Sequence, residues 1–224
     1  MKKKIIVPIV LFIICLFLAF ISLNVYEEYI LTEEISSIND MISEDNINDE
    51  KLNDALNRYK TKYEFKKIEK TYKAIIKKRI DVIDNINKFY KEEENIDYIS
   101  ISSIGELDNT REKLNTSIKT IETLKNKYSD MYTDRYIKKQ LKKTKPNNIT
   151  TNYFNKHIFS SLKIKNDEKE LLDEMEKTIY MYNEINDILV FLDDNQDYWS
   201  INGDYLEFTD QEILNQYNIL LVNI

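Results

Sequence analysis

Apolar side chains run from Ile5 to Leu23 without a charge, and only Ser22 interrupts them with a polar group. As a helix, a run of this length spans about 28 Å, close to the hydrocarbon thickness of a bilayer. It is longer than the apolar core of a signal peptide and lacks the small-residue exit that cleavage needs: Ile21 stands two places after Ala19. Ile14 before Cys15 is too large for lipoprotein processing, and Pro8 falls in the first turns, where its missing N–H costs little. An uncleaved anchor at 5–23 is expected, with a cleaved signal as the competing reading.

Beyond the run the pattern becomes helical. Over 24–42, Tyr26, Tyr29, Ile35, Ile38 and Ile42 fall broadly on one side, and a polar break follows at 43–49. Leu52, Leu56, Tyr59 and Tyr63 form one stripe; Ile68, Tyr72, Ile75, Ile76, Ile80, Ile83 and Ile86 form another. The five-residue step from Tyr63 to Ile68 predicts a kink or break near 63–66. Residues 92–103 read as a loop or strand-like connector. Ser103 and Glu106 have capping-box spacing ahead of a seam of Ile104, Leu107, Arg111, Leu114, Ile118, Ile121, Lys125, Tyr128 and Tyr132. That helix continues to a basic end before Pro146. A short helix is expected within 151–164, then a long one with Leu172, Met175, Ile179, Tyr182, Leu189 and Leu192 inward.

Near the end the period changes from helical to alternating. Asn202-Gly203 between two such runs signals a β-hairpin at 197–208, with Trp199, Ile201, Leu206 and Phe208 on one face. Trp199 is expected to be largely buried there. Thr209 and Glu212 then form a second capping-box pattern before Ile213, Leu214, Tyr217, Leu220 and Leu221. The fold class is therefore mainly α: a bundle of long amphipathic helices with a small C-terminal β-hairpin, behind one N-terminal transmembrane helix. The expected divisions are a tail at 1–4, an anchor at 5–23, an acidic juxtamembrane helix and break at 24–46, and a helical domain at 47–224.

Charge adds an orientation. Lys2, Lys3 and Lys4 precede the apolar run, and the next basic residue is Lys51, after Glu27, Glu28, Glu33, Glu34 and Asp40. The positive-inside rule predicts a cytoplasmic N-terminus with the bulk of the chain extracytoplasmic, and Tyr26 and Tyr29 stand where an interfacial aromatic belt would lie. The net charge is −7 and includes those three lysines, so the remainder is more acidic still and poorly suited to nucleic acid.

Composition narrows the chemistry. Two glycines and two prolines among 224 residues leave little for phosphate-binding loops or the tight turns of sandwiches and barrels. The single cysteine lies in the apolar run and the single histidine is His157, which excludes a Cys/His zinc site or a Cys–His pair within one chain. "YFNKHIFSSL" has no Gly-x-Ser-x-Gly turn to present a serine, so His157 reads as a packing residue. No cofactor is expected.

Three features remain as candidate sites. The run containing Arg135, Lys138, Lys139, Lys142, Lys143 and Lys145 could hold an anionic cell-wall polymer or lipid headgroup, although cations also suit a helix C-terminus. Asp193, Asn195, Asp197 and Asp204 fall at positions one, three, five and twelve of an EF-hand-like calcium loop, but Tyr198 occupies the position that needs glycine. Tyr198 and Tyr205, on the outer hairpin face, are the expected interaction surface. A basic stretch from Lys60 to Arg79 and an acidic one from Asp167 to Asp187 are expected to attract one another. The functional expectation is a non-catalytic, membrane-anchored module that binds a protein or surface component. The alternative is a ligand-binding accessory to a separate membrane partner, with an exported hydrolase a distant third.

Overall fold

The computed structural model describes residues 3–43 and 49–222. The expected break at 43–49 and the first two residues of the 1–4 tail lie almost wholly outside these. The described chain is mainly helical, with one two-stranded antiparallel sheet near its C-terminal end. It divides into two compact units: Met1–Lys78 with Asp134–Lys163, and Arg79–Thr133 with Ile164–Ile224.

In the first unit, helix α1 (Lys3–Ser43) runs unbroken for 41 residues. Its apolar side chains from Phe12 to Leu23 are exposed. Among the described residues it is the one helix long and apolar enough to cross a membrane, with mean hydropathy 1.6 over its most apolar window. Further along, α1 packs through Glu27, Leu31, Glu34 and Ile38, all buried at alternating four- and three-residue steps. Tyr26 and Tyr29, expected on the same side as Ile38, are exposed instead. Carboxylates take the inward places because the facing chain supplies N–H and ammonium donors.

Helix α2 (Asp49–Asn57) buries Leu52, Ala55 and Leu56, and the chain then leaves the helix until α3 (Tyr63–Glu93) begins. The expected break is present, but at 58–62. Tyr59 and Tyr63 therefore sit outside the buried stripe, and both are exposed. Phe65, Ile68, Tyr72, Ile75 and Ile76 make the inward face of the α3 start. Helix α6 (Asp134–Thr144) contributes Ile137 and Leu141 to this unit. It stops where Lys145 turns left-handed at φ 51° and Pro146 removes a donor. Asn147 caps α7 (Asn148–Tyr153), its side chain accepting from the Thr150 N–H at 2.9 Å. A π-turn (Phe154–Ile158) and a 3-10 turn (Phe159–Leu162) follow and bury Phe154, Ile158 and Leu162. The Tyr153 ring meets Phe65 edge-on at 5.5 Å, and its hydroxyl lies 3.0 Å from that of Thr32.

In the second unit, Val82, Ile86 and Phe89 of α3 are buried. Helix α4 (Ile101–Gly105) leads into α5 (Leu107–Asp130), which packs on α8 (Asn166–Asp194). Leu114, Ile118, Ile121, Leu124 and Tyr128 face Met175, Tyr182, Ile185, Ile188, Leu189 and Leu192 in this core. The two charges that interrupt the α5 seam are used by α8: Arg111 pairs with Asp193, and Lys125 with Glu176 at 3.1 Å. The ion pairs found for the basic Lys60–Arg79 stretch lie within the first unit, with Glu34, Glu64 and Glu69.

Neither capping box forms as the spacing predicts. Ser100 caps α4, Ser103 lies inside that helix and donates to the Asp97 carbonyl at 2.6 Å, and α5 starts at Leu107 without a side-chain cap. At α9 (Gln211–Leu221) the cap is Asp210, accepting from the Glu212 and Ile213 N–H groups at 2.7 and 3.1 Å. A carboxylate is a stronger acceptor than a hydroxyl. Thr209 meanwhile donates to the Tyr198 carbonyl at 3.2 Å and closes the base of the hairpin.

The hairpin consists of β1 (Trp199–Asn202) and β2 (Tyr205–Phe208). Trp199 pairs with Phe208 and Ile201 with Leu206, so the turn residues are Gly203 and Asp204, one place later than the Asn-Gly signal suggests. Gly203 has φ 65°, and a glycine at the first turn position accommodates this without strain. The expected faces survive, because the pairing moves by two residues and side chains alternate with period two. Burial is lower than expected: Trp199 is half-buried, with Nε1 donating to the Leu192 carbonyl at 2.7 Å, and Ile201 is exposed. Phe208 stacks at 5.1 Å on Tyr217 of α9. A hairpin covered on one side by a single short helix leaves its rim in water.

Candidate functional site

Tyr198 and Tyr205 are both exposed, at 46% and 57%. Tyr205 belongs to β2, whereas Tyr198 sits in the 3-10 turn (Gln196–Tyr198) that leads into β1. Behind the hairpin, Trp199 and Ile201 form one wall of an open cleft of about 610 Å³, and Gly105, Leu107 and Asn109 line it opposite. A Cβ at Gly105 would sit 3.4 Å from Ile201 Cδ1, an ordinary van der Waals contact across the cleft. The hairpin thus presents Tyr205 outward and, through Trp199 and Ile201, borders an open cleft of mixed lining that includes Glu106, Asp108 and Gln196.

The basic run lies on α6 and its C-terminal joint. Arg135, Lys138, Lys139, Lys142, Lys143 and Lys145 are all exposed, opposite the buried Ile137 and Leu141. Lys138 and Lys163 flank the Phe159 ring at 5.5 and 5.2 Å from its centre, and Lys163 pairs with Asp134 at 3.2 Å. Lys138, Lys142, Lys145 and Pro146 border a depression of about 350 Å³. The helix is therefore amphipathic in charge as well as polarity, with cations in its last turn as the macrodipole favours.

The four calcium candidates do not share a loop. Asp193 is still within α8 and is engaged by Arg111 and by Gln196 Nε2 at 2.6 Å. Asn195 gives its amide N–H to the Phe191 carbonyl at 2.8 Å, Asp197 is in the 3-10 turn, and Asp204 is in the hairpin turn. Among the described residues no group of three or more His, Cys, Asp or Glu side chains is placed to hold a metal ion. His157 is exposed and stacks on Tyr153 at 4.8 Å.

Two charged clusters were not legible as sites. In the first unit, Lys73 Nζ is buried and uses its three protons on Glu34 Oε1 (2.7 Å), Glu69 Oε1 (2.6 Å) and the Arg58 carbonyl (2.7 Å). Glu69 also accepts from the Thr61 N–H and hydroxyl at 2.9 and 2.6 Å, and Glu27 from the Lys62 N–H at 2.6 Å. Lys60 closes the cluster on Glu34 at 2.5 Å. These groups satisfy the backbone of the 58–62 connector, which has no ladder of its own. The heptad-like spacing of Glu27, Leu31, Glu34 and Ile38 was the one signal that could have located it.

In the second unit, Glu93 accepts from Tyr98 (2.7 Å), Tyr182 (3.1 Å) and Ser117 (2.7 Å). Burial, reinforced by the Glu93 carboxylate, pushes the Tyr98 phenol up to about 12 and Tyr182 upward as well. Both are fixed proton donors near neutral pH, a tie between α3, α5 and α8. No protein-family model matches the chain, and neither a curated protein nor a solved structure is significantly similar to it.

Proposed function

We propose that the chain is a single-pass membrane protein, with its N-terminus cytoplasmic and its helical units extracytoplasmic, acting as a non-catalytic interaction module. The observation that carries this reading is α1: an exposed apolar segment that continues, without a break, into a helix packed inside a folded unit. An apolar helix face with nothing covering it is costly in water and at home in lipid. Protease added to intact cells is expected to digest the chain beyond residue 24, and its protection would overturn the orientation.

The exposed tyrosines of the hairpin are the proposed contact surface, since tyrosine offers large area at low entropy cost. Tyr198→Ala with Tyr205→Ala is expected to change stability by less than about 0.5 kcal/mol, because neither ring is buried. A photocrosslinking residue placed at 198 or 205 in native membranes should capture the partner. Unfolding of the double variant would assign the rings to the core, and the absence of adducts would move the surface elsewhere. The open cleft behind the hairpin supports the second reading, a ligand-binding accessory module.

A further inference from the structure

The first unit carries an apolar groove of about 300 Å³ at the point where the apolar segment of α1 ends. Phe20 and Leu23 of α1 form one side, and Tyr63, Phe65 and Ile149 the other, with Lys62 at the rim. Tyr63 and Ile149 are 78% and 60% exposed, although each begins or borders a helix whose neighbouring residues Phe65 and Thr150 are buried. Tyr63 is itself left-handed at φ 47°, and Lys145, at the joint that precedes α7, is left-handed at φ 51°. Neither residue is glycine, so the fold holds these joints against an intrinsic preference.

A cross-tie does the holding. Glu64 accepts from the Asn147 N–H at 2.8 Å and from Lys67 Nζ at 2.6 Å, while Lys67 also donates to the Lys145 carbonyl at 3.2 Å. The Glu64 carboxyl is held below its usual range by Lys67 and then by the Asn147 N–H. Tyr63 and Ile149 thereby line one groove with Phe20 and Leu23 of the last apolar turn of α1. Lys142, in the last turn of α6, and Lys145, at the α6–α7 joint, are exposed and border a second depression.

Building on the anchored reading above, we infer that this end of the first unit is seated on the membrane. Tyr63 and Ile149 enter the interfacial layer of the leaflet from which α1 emerges, and Lys62, Lys142 and Lys145 lie against anionic phospholipid headgroups. Continuity selects lipid over a protein occupant. Phe20 and Leu23 line the groove and belong to the apolar segment itself, so whatever surrounds that segment reaches the groove. An amphipathic tyrosine and an aliphatic residue beside Lys62, with Lys142 and Lys145 exposed at the end of α6, suit the boundary between hydrocarbon and headgroups.

The test uses the full chain carrying Cys15→Ser, reconstituted in vesicles of phosphatidylcholine with phosphatidylglycerol. Nitroxide labels are attached to Phe17→Cys, Ile149→Cys or Tyr205→Cys, with helical circular dichroism as the folding check. The ratio of collisions with oxygen to collisions with a water-soluble nickel chelate is expected to be highest at 17, aqueous at 205, and several-fold above 205 at 149. It should fall at 149 in phosphatidylcholine alone and with Lys142→Gln plus Lys145→Gln. An aqueous value at 149 with a lipid value at 17 overturns this inference and leaves the anchor standing; an aqueous value at 17 overturns both. Shielding of 149 from both colliders means a protein occupant and overturns it too. A value at 149 indifferent to charge overturns the assignment to anionic headgroups.

Discussion

Lys73→Met is expected to destabilise the first unit by about 3–5 kcal/mol, since it removes the ammonium shared by two buried carboxylates. Lys73, Glu34 and Glu69 are each no more than 1% exposed. Methionine matches the length of the lysine stem, so packing changes little and the loss reports the uncompensated charges. It also leaves the Arg58 carbonyl without its 2.7 Å donor. Adding Glu34→Met should recover part of the loss. Glu69 keeps its bonds from Thr61 and the Lys60 N–H, while Lys60, being 43% exposed at its side chain, returns to water. Urea unfolding of the detergent-solubilised chain gives the magnitude, and hydrogen exchange at amides 58–62 locates it. A change below about 0.5 kcal/mol, the usual range for a surface site, would mean that water already solvates the cluster.

The second large effect is loss of the second unit in alkali. The usual tyrosine value is 10, and burial raises Tyr98 to about 12 and Tyr182, Tyr128 and Tyr132 upward. Between these values the unfolded chain has released protons that the folded chain still holds. Stability is therefore fully present below about pH 10 and declines as pH rises through 12. Glu93 adds to the effect, because a tyrosinate at Tyr98 or Tyr182 would face its carboxylate at hydrogen-bond distance. Absorbance at the tyrosinate band should show Tyr98, Tyr128, Tyr132 and Tyr182 ionising together with the loss of helical circular dichroism. Ionisation of these four near pH 10 with helicity intact would refute their assignment to the core.

Much of the helical layout was legible because it is local. The apolar run of α1, the stripes of α3, α5 and α8 and the alternation around residues 199–208 each depend on neighbours within a turn or a strand pair. Tyr198 and Tyr205 were placed outward by the two-residue alternation alone, and both are exposed. Errors arose where two acceptable partners compete over a short distance. Ser100 and Asp210 displaced the expected caps, and Gly203 moved the hairpin turn by one residue. Such choices differ by roughly 1 kcal/mol, too little for spacing to decide.

Long-range pairing was not legible at all. Glu27 and Glu34 on α1 entered only as part of the acidic stretch after the apolar run, and Arg111 and Lys125 only as charges within a seam. Lys73 reaches Glu34 across 39 positions and Arg111 reaches Asp193 across 82. Burial of a charge depends on whether a counter-charge and donors arrive at the same place, which no local period encodes. By itself, then, the sequence determined the helical class, the apolar length of α1, the hairpin and the limit of one cysteine and one histidine. Only the tertiary structure decided which charges are inside, where α2 and α3 part, and that Tyr63 and Ile149 line one groove with the end of the apolar helix. Backbone periodicity follows from bonds between near neighbours, whereas the desolvation of a charge is settled by groups that folding alone brings together.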